Sequence, residues 1–326
     1  MKIRSLFLRG TAVALALSLA GPAAARSIER IPVVATFSIL GDMVERIGGE
    51  RVTVTTLVGP DGDTHVYVPT PADARAVSEA QVLVANGLAF EGWLDRLVDA
   101  SDFDGTHVAA TEGIEPIAYE EGDDHDESEA KVETREQPEG EHDDEHHGAF
   151  DPHAWQSLDL AVTYVDNITA ALARTDPSNA TRFYRNRAAY VAEIEALDAE
   201  IREIVAGLSA ERRTVVTSHD AFQYLARDYG LIFLAPQGLS TESEASARDV
   251  ARLIEQMKDD DISAVFVENI TDSRLLEQIA NETGAVVGGT LFPGALSGPD
   301  GPAGTYLDLV RHNVTTLAQA LGSAQE

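Results

Sequence analysis

Nine histidines are spread along the chain, and three of them lie where an imidazole could do chemistry. His65 sits in GPDGDTHVYVPTPAD, just past a segment that alternates like a β-strand. His153 sits in FDPHAWQ, ahead of a predicted helix. His219 sits in VVTSHDAFQYLARDYG, where a predicted strand gives way to a helix. Neutral imidazole suits Zn²⁺ at about 2.0–2.1 Å, and open α/β sheets place ligand sites in the loops at strand ends. Three loops so far apart converge only through the fold, so by spacing alone each histidine is equally an ordinary loop residue. His107, at the entry to an apolar stretch, and His312, in the last predicted helix, read as structural.

The remaining four histidines, His125, His142, His146 and His147, fall in Glu120–Gly148, a stretch with fourteen acids and a single apolar residue larger than alanine, Val132. Such a segment cannot bury a core, and its composition predicts disorder. The chain as a whole carries 55 acidic and 24 basic residues, a formal charge of −31. That field repels phosphate backbones and excludes nucleic-acid binding. It disfavours anionic membrane surfaces and attracts small cations. The chain has no cysteine, which removes disulfides, zinc–thiolate sites, thiol catalysis and a lipid-bearing N-terminal cysteine.

The elements that must position these residues follow from apolar patterning. Residues 1–25 read as an export signal. Lys2, Arg4 and Arg9 precede an apolar run from Thr11 to Ala20, and Ala23-Ala24-Ala25 fits the small-residue cleavage rule. An exported, soluble protein of the periplasm is expected. IPVVATF (Ile31–Phe37) is a β-branched strand, with Ser38 placed to cap a helix to Ile47. RVTVTTL (Arg51–Leu57) and QVLVA (Gln81–Ala85) are further strands. Pro71 suits the first turn of a helix over Ala72–Glu79, and another helix lies near Trp93–Val98. The second half repeats the style. Strands at Thr214–Thr217, Leu231–Leu234, Ala264–Val267 and Ala285–Val287 alternate with helices at Ala221–Tyr229, Ala245–Lys258, Ser273–Glu282 and Tyr306–Leu321. This alternation predicts an α/β protein of two parallel-sheet lobes. Between them Tyr190, Ile194, Leu197, Ile201 and Ile204 recur at helical steps within Ala180–Leu208, predicting one helix of about 30 residues, roughly 45 Å long, as a rigid connector. The expected division is an N-terminal lobe over 26–176, a connecting helix over 177–208 and a C-terminal lobe over 209–326.

Several of these segments resemble the zinc/manganese solute-binding proteins of ABC importers, the cluster A-I or ZnuA-like proteins. GPDGDTHVYVPTPAD is similar to that family's first ligand loop, the acidic insert followed by DPHAW to its metal-rich loop and second ligand, and TSHDAFQYLARDYGL to its third. QGLSTESEAS and GPAGTYLDLVRHNV also match in order. The resemblance implies a metal clamped in the cleft between the lobes by His65, His153 and His219. It further implies delivery to an inner-membrane ABC permease, with no reaction catalysed. Many relatives add a carboxylate after the last strand. Here LFPGALSGPDG has Gly294 at that place, so the fourth ligand is water, Asp300 or an acid of the insert. Three imidazoles favour Zn²⁺ over the oxygen-preferring Mn²⁺. Asp151, Asp220 and Glu268 are candidates to orient the rings by accepting their other N–H.

The insert is either a solubilising loop or a low-affinity collector that raises the local metal concentration. A monomer is expected, with a periplasmic metallochaperone as a candidate loader. Two other functions compete: an exported zinc hydrolase with a bound water, and a metal-buffering or adhesion protein. The hydrolase reading finds no HExxH pair, GxSxG elbow or Walker loop to support it.

Overall fold

The computed structural model describes residues 30–119, 150–209 and 212–323. The signal segment 1–25 and the acidic insert 120–148 lie outside them. Two four-stranded sheets, every pairing in them parallel, make up the strand framework. The first contains β1 (Ile31–Phe37), β2 (Val52–Val58), β3 (Val82–Ala85) and β4 (Thr106–Ala109), in the order β2-β1-β3-β4. The second contains β5 (Thr214–Val216), β6 (Ile232–Leu234), β7 (Ala264–Glu268) and β8 (Val286–Leu291), in the order β6-β5-β7-β8. β1 lies inside its sheet and is buried on both faces apart from Pro32, as a parallel strand covered by helices must be. β4 was not legible as a strand, because His107 interrupts THVA and Val108 is its one large apolar residue.

The helices follow the predicted spans to within a few residues. α1 (Ser38–Gly48) begins at Ser38 itself, with no side-chain cap. The Ser38 hydroxyl instead accepts the Leu296 N–H at 2.9 Å, a contact between lobes. α2 (Pro71–Glu79) has Pro71 in its first turn and a capping box in which Thr70 and Asp73 satisfy each other's backbone N–H groups. α3 (Leu94–Ser101) and α4 (Leu158–Thr175) complete the first lobe. In the second lobe lie α6 (Gln223–Tyr229), α7 (Ala247–Asp259), α8 (Arg274–Thr283) and α9 (Tyr306–Ser323).

Between the sheets runs α5 (Ala180–Ala206), a single helix of 27 residues. Its buried stripe of Phe183, Tyr190, Ile194, Leu197, Ile201 and Val205 packs against α4, α1 and α9. A narrow stripe on a long helix is what a surface-lying connector needs: one face against both lobes and the remainder polar. Arg213 closes its end by donating to the Val205 and Leu208 carbonyls. The main apolar core is continuous from the first sheet through α4, α5 and α9 to Leu291, Phe292 and Leu296, while a smaller cluster of Leu253, Met257, Leu276 and Ile279 lies under α7 and α8.

This topology sets where a ligand can sit. In each sheet the chain reverses direction of growth beside its first strand, between β1 and β3 and between β5 and β7. Loops leaving the carboxyl ends of the strands diverge there and leave a crevice. The loops after β2, β3, β4, β5, β6, β7 and β8 all contribute to one interlobe cleft.

Candidate metal centre

His65 leaves the β2 loop, His153 begins the short 3₁₀ turn Ala154–Gln156 ahead of α4, and His219 follows β5 directly. The three rings meet in the cleft, with centroids 5.4 Å (65–153), 5.7 Å (65–219) and 5.4 Å (153–219) apart. One ligand nitrogen of each lies within 4.8 Å of the other two, so a common point lies within about 2.8 Å of all three. His65 Nε2 and His153 Nε2 are 3.3 Å apart. Two nitrogens held by one tetrahedral ion at 2.0–2.1 Å would stand about 3.3–3.4 Å apart. His219 Nε2 is buried without a hydrogen-bond partner. A buried nitrogen in that state costs about 1–3 kcal/mol unless something else satisfies it, and a cation at the common point would do so.

Each ring is aimed by its surroundings. His153 Nδ1 lies 2.8 Å from Asp151 Oδ1, which also accepts the His153 backbone N–H at 2.9 Å. His219 Nδ1 lies 2.6 Å from Glu268 Oε2, while Glu268 Oε1 accepts the N–H groups of Ser218 and His219. These contacts place the ring proton on Nδ1 and leave Nε2 facing the centre. For His65, Asp63 Oδ1 accepts the backbone N–H at 2.9 Å. Phe90 stands edge-on to His65 at 4.8 Å, and Trp155 to His153 at 5.2 Å, forming an apolar wall.

The electrostatics follow from burial. Desolvation, then the neighbouring imidazoles, hold His65 well below its ordinary value. Desolvation and His219 do the same for His153, against a weaker pull from Glu268. Both are neutral at physiological pH, as metal donors must be. Desolvation also pulls His219 down, but the charge and hydrogen bond of Glu268 outweigh it, and the net shift is upward. Burial pushes the Asp151 carboxyl up to about 7, the His153 N–H opposing it.

Among the candidates to orient the rings, Asp151 and Glu268 do so. Asp220 does not contact a ring through any hydrogen bond; its Oδ1 accepts from Gln223 Nε2. Asp300 is exposed in a turn and is not part of the cluster, and among the described residues no fourth ligand group joins the three histidines. Gly294 is buried, and a Cβ there would meet Ile270, Trp155 and Phe90 only at 3.9–4.0 Å with no positive φ to demand glycine. His312 lies away from the cleft, with Nε2 3.0 Å from the Thr290 carbonyl, and His107 lies in β4.

Three residues that patterning did not single out complete the frame. Buried Glu91 accepts from Thr36 Oγ1 at 2.6 Å and Asn86 N–H at 2.7 Å, and Asn86 Nδ2 donates to the Pro152 carbonyl at 2.9 Å, one residue before His153. Asp63 is the third. Its signal was available, since Asp-x-His occurs at both 63–65 and 151–153.

The family described as ZnuA, zinc-uptake complex component A periplasmic, matches residues 33–320. The iron-binding protein YfeA of Yersinia pestis is 33% identical over 296 residues, covering 90% of this chain and 87% of its own. The manganese-binding lipoprotein MntA of Bacillus subtilis (strain 168) is 31% identical over 298 residues, covering 90% of each. The periplasmic zinc binding protein TroA from Treponema pallidum superposes with a TM-score of 0.78 at 29% identity, covering 90% of this chain and 99% of its own. The chain belongs to the ZnuA family, the metal-binding substrate-binding components of ABC importers.

Proposed function

We propose that this protein captures Zn²⁺ in the interlobe cleft, with His65, His153 and His219 as its protein ligands, and carries it through the periplasm to an inner-membrane ABC permease. The observation that carries the reading is the cluster of three imidazoles, two of them with a carboxylate on Nδ1. Relatives named for iron, manganese and zinc share the frame, so the choice of metal rests on the donors. Three nitrogens, with no carboxylate joining them as a ligand group among the described residues, favour Zn²⁺ over Mn²⁺. Members of the family are solute-binding parts of transporters, not enzymes, which speaks against an exported zinc hydrolase. The reading includes a monomer whose lobes span 26–176 and 209–326 about a connecting helix over 177–208, loaded directly or by a metallochaperone.

Elemental analysis of the purified full chain, followed by Zn²⁺/Mn²⁺ competition, tests the metal. One tightly held zinc per chain that excess Mn²⁺ does not displace is expected, and retention of manganese in preference to zinc would overturn it.

The insert fits a collector by where it is rooted. Ala118 and Phe150 pair as an isolated antiparallel bridge, and Tyr119 and Phe150 line a cavity of about 680 Å³ that also contains His65. Metal gathered by the insert would therefore be released at the mouth of the site. Removing 120–148 is expected to keep the one tight site and abolish weaker ones on calorimetric titration. Equal loss of both classes would rule out the collector.

A further inference from the structure

By sequence His65 belongs to the first lobe, yet the loop that carries it is fastened to the second. Asp61 has φ 56°, a left-handed turn conformation that Asp tolerates better than most residues. It donates its backbone N–H to the Leu296 carbonyl at 2.8 Å, and its carboxylate accepts from Asn269 Nδ2 at 2.9 Å and Gly298 N at 3.3 Å. Two residues on, one oxygen of Asp63 accepts the His65 backbone N–H, and the other accepts the Thr241 hydroxyl at 2.6 Å across the cleft.

The other two imidazoles are held within their own lobes, His153 by Asp151 and His219 by Glu268. His65 differs: the carboxylate that holds its backbone ends on a side chain of the opposite lobe. Asp63 and Thr241 also line, with Ser218 and Ile270, a groove of about 560 Å³ on the cleft. Their hydrogen bond therefore spans that groove from one lobe to the other. Parting them frees Asp63, and with it the backbone anchor of His65.

Resting on the reading of His65 as a ligand, we propose that Asp63 and Thr241 form an interlobe clasp that sets how long the metal stays bound. They act as positioning residues and do not touch the ion. Thr241→Val removes only the hydroxyl at nearly constant shape, and Thr241 is half-buried, so the chain should fold. Hydrogen bonds to charged groups are among the stronger ones, and breaking this one is expected to speed release about tenfold. The measurement is stopped-flow transfer of Zn²⁺ from the loaded full-length protein to excess chelator, for wild type, Thr241→Val and Thr241→Ser, with apo melting temperatures alongside. Faster release in the valine variant, near-wild-type release in the serine variant and unchanged apo melting support the clasp. Wild-type release in the valine variant, release from the serine variant as fast as from valine, or a lowered apo melting temperature with no kinetic change overturns it. His65→Ala separates the two ideas. If that variant still binds Zn²⁺ tightly, the ligand reading fails, whereas unchanged kinetics in Thr241→Val beside a metal-free His65→Ala defeats the clasp alone.

Discussion

His153→Ala is expected to weaken Zn²⁺ binding by roughly two hundred- to five thousandfold. Structural zinc sites contribute about 10–16 kcal/mol, and shared among three imidazoles that is about 3–5 kcal/mol each. The ring is fully enclosed, with Asp151 on Nδ1 and Trp155 and Phe90 against its faces and edges. No side chain from solvent can take its place without rebuilding that wall. The fold should survive, because Asp151 keeps its bond to the backbone N–H of residue 153 and the cavity costs about 1–3 kcal/mol. Circular dichroism of the apo protein would establish that, and chelator competition would give the affinity. His312→Ala is the matched control, since His312 bonds to the Thr290 carbonyl outside the cleft. Full-affinity binding by His153→Ala, or an equal loss in His312→Ala, would remove the basis for the site.

Glu268→Gln should change both the strength of binding and its dependence on pH. Glu268 is buried and meets three donors: the His219 ring and the N–H groups of Ser218 and His219. An amide reproduces that set only in part, so affinity at neutral pH should fall about 10–100-fold, the usual cost of losing a ligand's orienting partner.

The pH effect has a definite sign. A proton on His219 Nε2 competes with the metal, and Glu268 raises the pKa of His219 against the pull of burial. Wild-type affinity is therefore full above that raised value and is lost as pH falls through it, beginning above the ordinary imidazole value of about 6.5. His65 and His153, both held low, join the competition only at more acid pH. In the variant the largest upward pull on His219 is lost and burial is opposed by the weaker charges of Asp63 and Asp220, so the acid limb shifts downward. The variant binds more weakly at neutrality yet loses proportionally less on acidification. Competition titrations between pH 5.5 and 8 would show it, and an acid limb that stays in place would mean Glu268 does not govern the His219 proton.

Most of the frame was legible in the linear chain. Burial periodicity is a local property, so IPVVATF, AVFV and the helical steps of Tyr190, Ile194, Leu197, Ile201 and Ile204 announced strand, strand and long helix without reference to anything distant. The three imidazole-bearing loops could be found because each adjoins such an element. THVA escaped because His107 interrupts it and Val108 is its one large apolar residue.

What the tertiary structure alone decided are the pairings. Ser38, suited in sequence to cap α1, spends its hydroxyl on Leu296, 258 residues away. Asp220 sits beside His219 in the chain, yet the ring turns to Glu268, 49 residues on. Asp63 meets Thr241 at a separation of 178. Local propensity depends on neighbours within a few residues, whereas a side-chain contact depends on how two sheets, a connecting helix and their loops close in space. That closure is a property of the packed whole, which is why residue type and spacing could nominate the ligands while only the folded chain could show which carboxylates aim them.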